Sequence, residues 1–463
     1  MPSGRARARA AGLYDLDVEQ LNSNLAFVLA IGGLAGALVL ALACAGHRTA
    51  AKILFFLVVA SFDVTFRNRG YGDKGLDLQV LAKLLLWGAA GLFALSRANR
   101  LLSALSEPAA AAWLLLLGWF AASSVYAPNP IFSSVAVASL CAVFLFFLTI
   151  VREIDDSWLG SLALLAAGTV CAISLVGYFV SPDTMRLWSW IDGSLVRTSR
   201  IVGITGHANA IGGIGAFGIL IARIFWSVMD SRGAWLHVAA VACCLAALLL
   251  SQSRTPIGGL LVVLGCYQLM YFRKGTRPMV VLGVLTSVAF GLIILFTYDA
   301  ETTISLLTRS GDLQEILTVT GRTAIWGAVL DLWSESPILG WGYGSSTYII
   351  PKISASIGFV VAQSHNLIIQ VMLSGGVVAL TIFTAAAVIS LRAVLRTHDA
   401  ASATLLGFVF IGGLTEGAVF NNTPDLSFAT LSLGVALLVR RSQAVRLAEE
   451  PEMAVSLPPV RAR

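Results

Sequence analysis

Two arginines and one histidine carry most of the chemistry this chain can offer. Arg254 lies in SQSRTPIGG, Arg322 in GRTAIWGAVLDLWSESP, and His365 follows forty-three residues later in the tripeptide SHN. A guanidinium is a planar fork of donors that matches a phosphate bidentately. Arg254, set among hydroxyl and small residues, is therefore a candidate phosphate clamp, and an arginine snorkelling to a membrane interface fits the same spacing. Arg322 belongs to the first turn of a short helix, because Trp326, Val329, Leu330 and Trp333 recur at helical spacing and Pro337 ends the run. The plain reading of that helix is interfacial, with tryptophans at headgroup level, where a lipid-linked substrate would present its headgroup. Gly340, Gly342 and Gly344 of GWGYG allow a tight, sterically open turn. His365 stands where polar chain meets an apolar run. Imidazole suits general-base work near neutrality, although a lone histidine is more often structural.

The elements that must hold these groups are membrane helices. The chain is 57% hydrophobic and 12% charged, with a mean hydropathy of +0.84, far from the roughly 25% charged content of soluble domains. A bilayer core takes about 20 apolar residues per helix. Candidate runs lie near 24–46, 51–66, 78–96, 109–126, 131–151, 158–180, 210–228, 235–251, 255–272, 278–297, 367–391, 401–420 and 424–439. They are continuous rather than alternating, which indicates helices and not barrel strands. The expected fold is an all-α polytopic membrane protein of about 12–13 transmembrane helices with one large extracytoplasmic loop bearing short amphipathic helices. Along the chain this reads as a basic N-terminal tail (1–23), a transmembrane region (24–297), the large loop (298–365), C-terminal transmembrane helices (366–440) and a cytoplasmic tail (441–463). The six cysteines fall inside the apolar runs and read as small buried hydrophobes, with neither metal-ligand nor disulfide spacing.

Lys and Arg placement sets sidedness. The net charge is +6, and Arg273, Lys274 and Arg277, then Arg392 and Arg396, then Arg440, Arg441 and Arg446 mark the cytoplasmic face. Residues 298–365 then lie outside, in keeping with six acidic against three basic residues there. The same count puts the N-terminus outside, whereas GRARARA at 4–10 argues for inside. Segment 51–66 is short enough to be re-entrant or tilted, so the early parity stays open. The basic tail lacks a cleavage site ahead of a short apolar core and is not read as a signal peptide.

By this topology the other ionisable groups in or beside the spans gather at the outer face. Asp63 ends the second segment, Lys83 begins the third, Arg200, His207 and Asn209 flank the start of the seventh, and Glu416 lies toward the outer end of the twelfth. An ionisable group in a membrane is costly and faces protein or a water-filled cavity. Singly, Asp63, Lys83 and Glu416 read equally well as snorkelling or structural ion-pair residues. Together they are candidates for substrate binding and for support of His365. No HExxH, paired-Asp or Cys/His ligand spacing is present, so neither metal nor other cofactor is expected.

SQSRTPIGG, GRTAIW followed by SPILGWGYG, and SHN, in that order around one large loop, with GHAN before an earlier helix and VYAPNP at 125–130, resemble the O-antigen ligase and polymerase superfamily of bacterial membrane glycosyltransferases. The resemblance covers about residues 110–430. It implies a glycan donor on undecaprenyl pyrophosphate, a glycan or lipid acceptor, membrane lipid around the site, a flippase and a chain-length regulator as protein partners, no nucleic acid, and action on the periplasmic face of the inner membrane. It assigns Arg254 and Arg322 to the pyrophosphate and His365 to the essential loop histidine. No large soluble domain is read after residue 440, which disfavours the protein-glycosylating branch. The reading leans to polymerisation of exopolysaccharide or O-antigen, with ligation to lipid A core as the alternative. From another class, a lipid-linked glycan flippase or secondary transporter stays open, although its midplane site sits poorly with charges clustered at one face.

Overall fold

Hydrocarbon offers no water to a backbone N–H or C=O, so long apolar runs satisfy both internally as helices. The computed structural model describes residues 48–65, 77–191, 194–271, 322–353, 361, 363–416 and 418–455. Its helices are α1 (Arg48–Ser61), α2 (Leu78–Leu95), α3 (Ala98–Leu105), α4 (Pro108–Ser123), α5 (Pro130–Ile150), α6 (Asp156–Val180), α7 (Ala208–Phe225), α8 (Ala234–Ser251), α9 (Arg254–Tyr271), α10 (Arg322–Ser334), α11 (Leu367–Thr397), α12 (Ala400–Gly413) and α13 (Leu426–Val455). Among the described residues seven are long and apolar enough to cross a membrane: α2, α4 with its following turn, α5, α6, α7, α8 and α11. The protein is an all-α polytopic membrane protein. Runs 51–66, 255–272, 401–420 and 424–439 correspond to the shorter or less apolar α1, α9, α12 and α13. Helix α1 has 14 residues, about 21 Å at 1.5 Å per residue, short of a hydrocarbon core about 30 Å thick. Runs 24–46 and 278–297, residues 298–321 and the outermost tails lie outside the described residues.

The chain divides into two compact units, one of residues 1–101 and 142–251, the other of 102–141 and 252–463. In the first, α6, α7 and α8 pack on one another and α1 packs on α6. Small residues make this close approach possible: a Cβ on Gly168 would meet that of Ala240 at 2.5 Å. The connection 181–204, expected simply as an outer segment, holds an antiparallel hairpin of β1 (Arg186–Ile191) and β2 (Ser194–Ile201), with Trp188 opposite Arg197. Cys171 and Cys244 are buried here; in the second unit Cys266 is exposed, unlike the buried reading of its type.

In the second unit α4 packs along α11, α12 on α13, α9 on α12, and α10 on α11. Trp113 centres an aromatic core with Phe383, Phe410 and Phe420. Helix α11 is broken at Gly376, whose φ of 66° and ψ of −161° leave the helical region. The chain at 337–341 fills the break: Val377 donates its N–H to the Pro337 carbonyl at 2.9 Å, and Trp341 donates to Leu373 at 2.8 Å. This corrects the open-turn reading of GWGYG. All three glycines have positive φ, but a Cβ on Gly340 would strike the Gly376 nitrogen at 2.6 Å. Gly340 and Gly342 admit neighbouring backbone, and Gly344 lies against the Phe132 ring.

Candidate active site

The second unit builds a site from its loops upward. On α10, Ile325 and Val329 are buried and form a cluster with Ile369 and Leu373 of α11. That packing sets Arg322, the first residue of α10, near the start of α11. Asn366 is the N-cap of α11, its Oδ1 accepting from the N–H groups of Ile368 and Ile369 at 2.9 and 3.1 Å, as an asparagine before an apolar run should. Its amide nitrogen donates to the Leu414 carbonyl at 3.0 Å. Ser364, on the other side of His365, is buried and donates to the Gln370 side chain at 3.1 Å. Asn421 donates to Gln363 at 3.1 Å. The histidine turn is therefore held at both ends by the 414–422 segment.

Within that clamp His365 takes a φ of 51°, the left-handed region that costs a non-glycine residue roughly 1–2 kcal/mol and recurs at functional sites. Its Nδ1 lies 3.1 Å from Oε2 of Glu416, whose Oε1 accepts from Nη2 of Arg322 at 2.5 Å. The side chains of Arg322, His365 and Glu416 are 15%, 20% and 18% exposed. They are dry enough for strong pairing and open enough to meet a substrate. An ionised carboxylate only accepts, so the bond puts the proton on Nδ1 and leaves Nε2 as the basic nitrogen. Arg322 has five N–H donors, so pairing with Glu416 leaves others for an oxyanion. Thr255, in the first turn of α9, is 3.1 Å from the hydroxyl of Thr415. This places exposed Arg254 beside the Glu416 turn.

The frame is wider than the sequence suggested. Tyr343 donates its hydroxyl to the Asn422 carbonyl at 2.6 Å and takes a hydrogen bond on its carbonyl from Ser133; burial pushes its phenol pKa up. Tyr126 of VYAPNP donates to Leu339 at 2.8 Å and Asn129 to Tyr348 at 3.0 Å. Among the described residues no three His, Cys, Asp or Glu side chains gather as a metal site.

The remaining predicted residues belong to the first unit. His207 caps α7, its Nδ1 accepting from the N–H of Asn209 at 3.2 Å. Arg200 donates Nε–H to the Ser251 carbonyl at 3.0 Å. Asp63 has a φ of 58°, in a turn tied to the connection before α7 by the Thr65 N–H to the Ile204 carbonyl at 2.7 Å. The Lys83 ammonium is 6.0 Å from the ring centre of Trp87, which stacks on Phe62.

Residues 239–384 match the family described as O-antigen ligase. An O-antigen ligase of Pseudomonas aeruginosa strain PAO1 is 24% identical over 310 residues, covering 66% of this chain and 68% of that protein. The chain is similar to the O-antigen ligase and polymerase superfamily over this segment. The matched segment holds Arg254, Arg322 and His365, and it ends before Glu416. That similarity, with the seven apolar helices, supports a membrane glycosyltransferase-like role. Sequence reasoning placed Glu416 only as weaker support and missed Asn366, Gln370, Asn421 and the threonine pair. The asparagine before α11 was a readable cap signal; the others depend on contacts between segments far apart in the chain.

Proposed function

We propose that the protein transfers a glycan from undecaprenyl pyrophosphate to an acceptor hydroxyl on the periplasmic face of the inner membrane, with residues 298–365 on that side. The observation that carries this reading is Glu416 bridging Arg322 and His365. Nε2 of His365 takes the acceptor's proton, the acceptor oxygen bonds to the anomeric carbon, and the anomeric C–O bond breaks. Its electron pair leaves on the pyrophosphate. Arg322 and Arg254 meet that charge, and preorganised donors in a partly dry site are the strongest means of doing so. Guanidiniums supply the counter-charge, so activity should survive excess chelator.

The acceptor separates two readings. Chain extension, toward which the sequence leans, adds a repeat unit to another glycan. Ligation to lipid A core is favoured by the name that both the matched family and the Pseudomonas relative carry. The test is reconstitution in lipid with an undecaprenyl-pyrophosphate oligosaccharide, with and without lipid A core. Long chains support polymerisation and a core conjugate supports ligation. Translocation of intact donor without transfer would sink the proposal.

A further inference from the structure

At the end of α11 away from His365 the second unit has a cavity of about 200 Å³ where the start of α4 meets α11 and α13. Its polar lining includes Glu107, Arg392, Arg396 and Arg446, and its apolar walls include Ile389 and Val439. Glu107 is 3% exposed and accepts from Nη2 of Arg446 at 3.1 Å. Among the described residues no ion pair engages Arg392 or Arg396. These two stand one turn apart, so they share a face of α11.

We propose that this cavity binds the phosphate of an anionic membrane lipid from the leaflet opposite the His365 end. Three guanidiniums against one carboxylate leave two positive charges in excess. Scattered cations at helix ends follow from topology alone, but these converge on one concavity, where their planar forks suit a phosphate. The apolar walls would cover a lipid's glycerol and first methylenes, which a free phosphate lacks. A choline headgroup would bring its own cation against the arginines. Basic pockets between membrane helices on the cytoplasmic side are apt sites for anionic headgroups.

The experiment titrates the full-length protein in detergent with phosphatidylglycerol, phosphatidylcholine or inorganic phosphate, following bound lipid by native mass spectrometry and stabilisation by thermal melting. The parent should retain phosphatidylglycerol over phosphatidylcholine. Arg392→Ala/Arg396→Ala, which leaves the Glu107–Arg446 pair intact, should weaken phosphatidylglycerol binding roughly 30-fold. If that variant does not insert and elute normally, Arg392→Lys/Arg396→Lys keeps the charge without the fork and should show a smaller loss. Equal retention of both lipids by the parent, or undiminished phosphatidylglycerol binding in whichever variant folds, would overturn the proposal. So would inorganic phosphate that stabilises and competes as well as the lipid. The readout is binding, so it stands or falls separately from glycosyl transfer.

Discussion

Two sets of predicted site residues, one in each unit, are held by different bonds. In the second, Arg322, Glu416 and His365 bond side chain to side chain, with the histidine in a left-handed conformation. In the first, the Arg200 and His207 bonds described above run to backbone groups, one to the Ser251 carbonyl and one to the Asn209 N–H. A side chain that satisfies backbone finishes a helix. His365, strained and paired with a carboxylate that is itself paired with Arg322, carries a cost in strain and desolvation that capping a helix does not require. The proposed chemistry accordingly rests on the Arg322–Glu416–His365 cluster of the second unit rather than on Arg200 and His207 of the first.

The strongest attempt to break this contrast is His365→Ala. Loss of a general base costs about 10²–10⁴-fold in rate, while donor binding, which depends on the arginines, should largely survive. The measurement is glycan transfer by purified variant in lipid beside binding of the lipid-linked donor; near-normal turnover by a correctly inserted variant would reduce His365 to a structural residue. Next come Arg322→Lys and Arg254→Lys. Lysine keeps the charge and loses the fork, and losing a donor to a developing oxyanion costs on the order of 10²–10³-fold. Full activity in both, at equal expression, would remove the pyrophosphate assignment.

How far the sequence led is visible in the same residues. Apolar runs of helical length and the helical spacing of Trp326, Val329, Leu330 and Trp333 are local properties, so the membrane class and α10 with Arg322 in its first turn were legible. Sidedness of charge and the SHN junction singled out His365 in the same way. The central place of Glu416 was not legible, because its partners lie 94 and 51 residues away. Nor was the use of GWGYG. Three spaced glycines look alike whether they admit a phosphate or neighbouring protein, and only the folded contacts decide: Gly340 meets the break at Gly376, Gly342 the chain at Ser123 and Ala127, and Gly344 the Phe132 ring. The hairpin at 186–201 was missed because one strand pair in a connection leaves no hydropathy signal.

Glu416→Gln sharpens the contrast at intermediate size. The amide keeps the shape and an acceptor, but it loses the charge that fixes the Nδ1 proton of His365 and holds Arg322. Removing an orienting partner of this kind costs about 10–100-fold in activity. The effect should be far from additive with His365→Ala, since groups acting as one unit fail together. A double variant whose losses multiply would show that the carboxylate acts apart from the histidine.

The smallest effect expected is that of His207→Ala, and it tests the other half of the comparison. Nδ1 of His207 accepts the N–H of Asn209 at the start of α7, so the variant loses one capping bond, worth about 1 kcal/mol. Helix α7 is otherwise held by its packing on α6 and α8, so the protein should insert normally and melt slightly lower. Transfer should fall by less than roughly tenfold, since a loss of that size would need about 1.4 kcal/mol of transition-state stabilisation, more than a cap supplies. His207→Asn restores a side-chain acceptor at the cap and should recover the melting temperature, together with whatever activity was lost through stability. A His207→Ala variant as inactive as His365→Ala, with an unchanged melting temperature and no rescue by asparagine, would place chemistry in the first unit and end the distinction drawn between them.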